Sequence, residues 1–343
     1  MYHQNLSQIL EISLMKHHAT PAAPTPPQGR LEHMPVSLFA TVMGLAGTTI
    51  ALQKAEHIWA WPTATSLLML WLTALVFLVV SGFYAAKFVL HRAHVVAEFN
   101  HPIRMSFFPA MSIGMILLAI AAMGHYPGLS LVLWALGSTV QLLFTLAILS
   151  NWMHHEKFQV QHSNPAWFIP IVGNILVPIA GVPLGYPEVS WFSFSVGLMM
   201  WTPLLAVLFN RFFFHPMIPS KLLPTLFILI APPAVGFISW VKLHNGVVDD
   251  VARIFYYFAL FITLLLFSQA RYFWKLQFAL PWWAYSFPIA AMTIATTVML
   301  EKVGGSFFLV LTQFLLVFLV LLVAMISVRT VRAMLRGQIC VPE

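Results

Sequence analysis

Residues 281–288 read Pro281-Trp282-Trp283-Ala284-Tyr285-Ser286-Phe287-Pro288, and an apolar run continues from them to about Leu300. That run is long enough to enter a bilayer. Pro281 suits the first turn of a helix, where a missing N–H costs nothing. Trp282, Trp283 and Tyr285 suit the membrane interface, where an amphipathic ring keeps one edge wet. Pro288 then falls inside the expected helix, removing an i→i−4 hydrogen bond and pushing the axis off line. Phe287 thus carries a bulky, rigid ring at a bend.

The surrounding chain has 343 residues, 60% hydrophobic and only 8% charged, with a mean hydropathy of +0.86. Soluble domains carry about 25% charged residues, so the sequence reads as an all-α, polytopic membrane protein. The net charge of +7 follows from where Lys and Arg sit. It is not a nucleic-acid footprint. The single cysteine, Cys340, excludes an intramolecular disulfide. No signal-peptide core is expected in the first 33 residues, which include the Pro/Ala-rich Thr20–Gly29. Residues 1–33 read as a disordered cytoplasmic tail, 34–332 as the membrane domain and 333–343 as a C-terminal cytoplasmic tail.

Apolar runs of bilayer length are predicted at 35–53, 63–90, 103–123, 129–151, 166–186, 189–212, 222–242, 251–273, 282–300 and 306–328. With the N-terminus inside, 13 basic residues fall on the cytoplasmic side and four, Lys54, Lys242, Arg253 and Lys302, on the other. This bias predicts both termini in the cytoplasm, in agreement with ten spans.

Proline alternates along these spans. Odd-numbered ones contain or begin with it, at Pro35, Pro102 and Pro109, Pro165, Pro170 and Pro178, Pro224, Pro232 and Pro233, and Pro281 and Pro288. Even-numbered spans hold almost none, Pro203 being the exception. The pattern predicts five helical hairpins, each pairing a bent helix with a straighter one. A bent helix has backbone groups that lipid cannot satisfy, so the odd helices are expected inside and the even ones against lipid.

All ten carboxylates lie in tails, loops or at predicted span ends. Proton relays and ion-coupled pumps depend on ionisable groups within the membrane. A lumen without fixed carboxylates, lined by kinked backbone and by small or aromatic side chains, suits passive permeation and disfavours cations more than anions.

The ordered segments Met34-Pro35-Val36-Ser37-Leu38-Phe39 with Gly44-Leu45, Phe99-Asn100-His101-Pro102-Ile103-Arg104-Met105-Ser106-Phe107-Phe108, and Asn164-Pro165 with Val172-Gly173-Asn174 carry a further signal. So do Ala231-Pro232-Pro233-Ala234, Tyr256-Tyr257-Phe258-Ala259-Leu260-Phe261 and the opening stretch around Phe287. Over about residues 34–330 the chain resembles the tellurite-resistance/dicarboxylate transporter family, which includes bacterial TehA, fungal malate carriers and slow-type plant anion channels. The resemblance implies five hairpins around a quasi-fivefold axis, odd helices lining a pore, and a homotrimer with one pore per subunit. It also implies that Phe287 plugs that pore. His101-Pro102-Ile103-Arg104 matches the family's cytoplasmic mouth, with Arg104 a candidate anion-attracting residue. Phe39, Ala40, Phe107, Phe108, Asn174 and Pro232 are the expected pore-lining set. Many relatives have Phe-Gly where this chain has Phe39-Ala40, and the added methyl is expected to tighten packing on Phe287 or shift its rotamer, by about 0.5–1.5 kcal/mol if the ring leaves its well.

Asn174 is open to two readings, an amide for a permeating anion or a helix–helix hydrogen bond. The 14 histidines include His91 and His94, His154-His155 and His17-His18. No Cys, Asp or Glu nearby in sequence completes a tetrahedral set, so these read as solvated histidines and no metal is expected. Methionines read as apolar filler. No nucleophile constellation, phosphate loop or H-E-x-x-H appears, and neither an enzyme nor a cofactor is expected. The sequence therefore predicts a passive, aromatic-gated channel, or channel-like carrier, for small anions in a bacterial inner membrane. The alternatives are a proton-linked or exchange carrier of C4-dicarboxylates such as malate, and an exporter linked to tellurite resistance.

Overall fold

The computed structural model describes residues 29–341. The tail expectation for residues 1–28 lies outside this range. The apolar helices are, in chain order, α1 (Val36–Trp59), α2 (Ala64–Leu90), α3 (Arg104–Ala122), α4 (Pro127–His154), α5 (Pro165–Gly181), α6 (Pro187–Phe214), α7 (Ser220–Leu243), α8 (Asp250–Ser268), α9 (Leu280–Lys302) and α10 (Ser306–Leu335). Among the described residues nine are long and apolar enough to cross a membrane, and α5 falls short of that length. The fold is thus an all-α, multi-pass membrane fold.

Each odd helix opens with a 3-10 turn and then relaxes to α geometry. These openings are Val36–Leu38, Arg104–Phe107, Pro165–Phe168, Ser220–Ile230 and Leu280–Tyr285. Proline stands at four of the five changes, as Pro109, Pro170, Pro232-Pro233 and Pro288. Pro288 is therefore not deep in an α ladder, as the sequence implied. It is the third residue of the α portion Ser286–Lys302, where few N–H groups have an α partner to lose. The 11-residue 3-10 run in α7 is long for that geometry. Pro224 within it and Pro232 and Pro233 after it withhold N–H groups that an α ladder would use.

Burial divides the helices by parity. Over an 18-residue window, 78–94% of residues are buried in α1, α3, α7 and α9, against 22–39% in the even helices. Every residue of α5 is buried. The odd helices pack in a closed circuit, α1 on α3, α3 on α5, α5 on α7, α7 on α9 and α9 on α1. Each also packs on the even helix that follows it. The even helices leave Leu68, Leu78, Leu143, Phe261 and Leu321 exposed, among many others. An apolar surface of that extent matches lipid and not water.

Polar side chains of α4 hydrogen-bond to the backbone of α5. Gln141 of α4 donates Nε2–H to the Pro170 carbonyl at 2.7 Å and accepts the Ser112 hydroxyl at 2.7 Å. The Thr145 hydroxyl donates to the same carbonyl at 2.8 Å. Gly173 lies directly beneath the Gln141 amide, where any Cβ would collide with it. Only glycine fits there.

Three sequence expectations change. Helix α1 runs on to Trp59, so Glu56 is not in a loop. It is buried in the last turn, and its carboxylate accepts the Ser66 N–H at 2.9 Å and the Ser66 hydroxyl, fixing the start of α2. Span eight ends at Ser268 instead of 273, with Ala270–Phe273 a separate turn. Residues 92–100, read as loop, form a helix, Arg92–Asn100.

Lys87 near the end of α2 and Glu98 of that linking helix form an ion pair at 2.7 Å, their side chains only 3% and 5% exposed. Glu98 also accepts the Val36 N–H at 2.7 Å and the Tyr84 hydroxyl at 3.0 Å, while Lys87 donates to the Met34 carbonyl at 2.7 Å. The pair thereby holds the first turn of α1 against α2. A buried charge left without its partner costs about 3–5 kcal/mol. Lys87→Met is accordingly expected to lower unfolding stability in detergent by ~3–5 kcal/mol, and Lys87→Met/Glu98→Gln to recover most of it. Equal losses in the single and double variants would contradict the pairing.

Candidate functional site

Two cavities lie within the circuit of odd helices, each lined by residues from all five. The larger, about 870 Å³, lies at their C-terminal ends. It is a vestibule with a largely apolar wall in which Lys54, Lys242 and Lys302 are set against Glu56 and Glu301. Lys54 Nζ lies 3.1 Å and Lys302 Nζ 3.7 Å from Glu301 carboxylate oxygens. Three lysines against two glutamates leave the wall a formal excess of one positive charge. Such a vestibule raises the local concentration of anions.

The smaller cavity, about 40 Å³, lies near the N-terminal ends of the same helices and is lined by Phe287. Its wall includes Ala40 and Met43 of α1, Phe107 and Ile113 of α3, Val172 of α5 and Ala231 of α7. Ser37 supplies the one hydroxyl among the described lining residues, and no carboxylate is among them. The two cavities share no lining residue. Phe287 is 6% exposed.

The level between them repeats around the circuit. Met43, Ile113, Val172, Ala231 and Phe287 line the narrow cavity, and seven residues later in each chain segment stand Ile50, Ile120, Ile179, Ile238 and Ile294, which line the vestibule. Seven residues are two helical turns, about 10 Å. Each isoleucine is the vestibule residue nearest the narrow end of its helix, and each keeps 6–8% of its surface exposed. One branched, apolar side chain from each odd helix therefore marks the floor of the vestibule.

Ala40, Phe107 and Phe287 meet at the narrow cavity, whereas the other expected residues take different places. Phe39 is fully buried against the rings of Phe77 and Tyr84 on α2. Phe108 packs on Phe99, Tyr84 and Phe144. Asn174 donates its amide to Thr145 Oγ1 at 2.8 Å, on the α4 side of α5. Pro232 is buried beside Ala231 without lining either cavity. Arg104 begins α3 at the narrow end, its N–H directed to His101 Nδ1 at 3.3 Å.

Two groups were not singled out in the sequence. The isoleucine level could not be read from the sequence, because these residues stand at unequal distances from the starts of their helices and share an offset only from residues that line the narrow cavity. The other is Gly47, which lies with the already quoted Gly44 on the face of α1 toward α9. A Cβ on Gly47 would sit 2.8 Å from Ala290 Cβ and 3.5 Å from Phe287 Cδ2. The Gly44-x-x-Gly47 spacing, one face of a helix, carried that signal. Gly47→Ala is expected to force α1 from α9 and cost about 1–3 kcal/mol of unfolding stability. Adding Ala290→Gly should return most of it. A double variant no better than the single one would refute this contact.

The family model described as voltage-dependent anion channel (SLAC1) matches residues 33–331. The chain is 29% identical over 285 residues to the S-type anion channel SLAH2 of Arabidopsis thaliana, covering 80% of this chain and 54% of that protein. It is 28% identical over 305 residues to an uncharacterized transporter of Methanocaldococcus jannaschii, covering 81% and 88% of the two chains. It is 24% identical over 311 residues to the tellurite resistance protein TehA homolog of Haemophilus influenzae, covering 89% and 92%. The match thus spans about half the length of the plant relative and most of the two microbial ones.

Proposed function

The chain belongs to the voltage-dependent anion channel (SLAC1) family, and we propose that it is a passive channel for small anions whose gate is the ring of Phe287. Family membership supports transport of anions across a membrane, and a transporter is not an enzyme. The observation that carries the finer reading is the position of Phe287. It lies where five odd helices close on a cavity of about 40 Å³, below a vestibule of about 870 Å³ that holds three lysines. An aromatic ring across a narrow lumen excludes water and offers an ion no compensating ligand. A rotamer swing opens it without large helix motion.

In this reading the ten helices form five hairpins around a quasi-fivefold axis, with the odd, proline-opened helices bent and innermost. Residues 34–332 are the channel domain and lie in a bacterial inner membrane. Both tails, 1–33 and 333–343, are cytoplasmic, so the narrow end faces the cytoplasm with Arg104 near its mouth. The protein acts as a homotrimer with one pathway per subunit. Anions gather at the lysines, shed water at the five isoleucines and pass when Phe287 turns aside. Selection among anions then follows the ease of dehydration. A proton-linked carrier of dicarboxylates such as malate needs a titrating group along the lumen; Glu56 and Glu301 line the wide vestibule, and among the described residues no carboxylate lines the narrow cavity beside Phe287.

Phe287→Ala is expected to raise anion current in a reconstituted bilayer at least tenfold, equivalent to removing ~1.4 kcal/mol or more of barrier. The current should follow membrane potential and persist without a proton gradient. An unchanged current would remove the gate, and strict dependence on the gradient would favour the carrier. On the Phe287→Ala background, Ile238→Thr/Ile294→Thr should raise current a further ~5-fold, about 1 kcal/mol of dehydration barrier. No change there would show that the isoleucine level does not limit permeation.

A further inference from the structure

Outside the pathway, at the narrow end of the bundle, the chain brings Glu32, His91 and His94 together. Their ligand atoms all lie within 4.8 Å of one another. Glu32 Oε2 is 3.9 Å from His91 Nδ1 and 3.8 Å from His94 Nε2. The other carboxylate oxygen is 3.5 Å from Nε2 of His33, a buried nitrogen with no hydrogen-bond partner. The rings of His33 and His94 stand edge to face, centroids 6.2 Å apart, and those of His91 and His94 do the same at 5.9 Å. The sequence showed His91 and His94 three residues apart without a carboxylate to complete them. Glu32, some sixty positions earlier, is the carboxylate that the fold supplies.

We propose that these residues form a binding site for a borderline divalent cation of the zinc type. Two imidazoles and one carboxylate are the donor set that zinc, nickel and cobalt favour, whereas calcium and magnesium ask for six or more oxygens. Tetrahedral zinc with bonds of about 2.0–2.1 Å holds its ligand atoms roughly 3.3 Å apart. Side-chain rotation of modest size closes the present separations, because His91 and His94 are 31% and 48% exposed. Their backbone is already fixed. His91 ends α2, and its carbonyl accepts the His94 N–H at 3.0 Å, which sets the two rings on one side of the first turn of Arg92–Asn100. The segment carrying Glu32 is fixed from the other side. The Met34 carbonyl is held by Lys87 and the Val36 N–H by Glu98. Three protein ligands leave a fourth position for water or for His33 Nε2. The partial exposure makes the ion exchangeable and reachable from solution.

Such an ion ties the residues leading into α1 to the junction of α2 and the linking helix. Since α1 supplies Ala40, Met43 and Gly47 beside Phe287, the metal would brace the helix that packs on the gate. The site itself does not rest on the permeation reading, and either can fail without the other.

The test is zinc titration of the tag-free, full-length protein in detergent, read by a competing metal indicator and by the zinc-induced shift in thermal unfolding midpoint. One saturable equivalent per chain is expected, with an upward shift of the midpoint. His91→Ala/His94→Ala and Glu32→Gln should each weaken zinc binding at least ~10-fold and abolish the shift. His154→Ala/His155→Ala, a histidine pair elsewhere, should keep both. Glu32→Gln preserves size and shape, so it serves as the decisive variant if the double histidine variant does not fold. Absence of saturable zinc binding, retention of full binding by Glu32→Gln, or loss of binding in His154→Ala/His155→Ala would overturn the site.

Discussion

Everything in this fold turns on the inability of lipid to hydrogen-bond a peptide group. Helices that begin in 3-10 geometry and carry proline cannot satisfy their own backbone throughout. They must be surrounded by protein, and here they are. The odd helices make a closed circuit and the even helices cover them, contributing Gln141 and Thr145 to the Pro170 carbonyl. The even helices are free to be long, regular and apolar because they carry almost none of this burden. A single chemical limitation thereby sorts ten segments into an inner and an outer layer.

The same limitation shapes the space inside. Proline and glycine at the start of the inner helices bring backbones close, and the narrow cavity shrinks to about 40 Å³. At the opposite ends the helices are ordinary α and the space widens to about 870 Å³. Charge is confined to the wide end, where water still screens and solvates it. Lys87 and Glu98 are also buried, but they face α1 and α2 and neutralise one another away from both cavities. The wide cavity thus presents charge and the narrow one mostly hydrocarbon.

How far this was legible depended on the range of the interaction. Parity of burial follows from proline, a property of each span alone, and could be read directly. Which face of an odd helix looks inward could not, because rotation about the axis is set by neighbours. Phe39 and Phe108 are adjacent or near to Ala40 and Phe107, yet one step of about 100° carries their rings outward onto α2 and α4. Asn174 turns toward Thr145 for the same reason. The isoleucine level was not legible either, since its common offset exists only relative to residues whose inward position the fold sets. The Lys87–Glu98 pair and the approach of Glu32 to His91 and His94 were not, since each joins segments whose meeting depends on the linking helix between α2 and α3.

In the gating reading proposed above, the well-packed ring of Phe287 has to be movable, and its surroundings bear on that. A side chain locked by tight contacts on every side is held by dispersion and by the strain that any new rotamer imposes on its neighbours. The cavity that Phe287 lines carries the small Ala40, Ala231 and Ala284 beside the bulkier Met43, Phe107, Ile113 and Trp283, and Gly47 presents bare backbone toward the ring. Rigidity is placed instead just outside, in the Trp283 indole bonded to Thr330 at 2.9 Å and in the Ser286 hydroxyl bonded to the Trp283 carbonyl at 2.6 Å. The backbone that carries the ring is therefore held on the side of Trp283 and Ser286. If the ring is the stopper proposed above, it shifts through a change in its own torsion, and the helix circuit that keeps the backbone satisfied need not open.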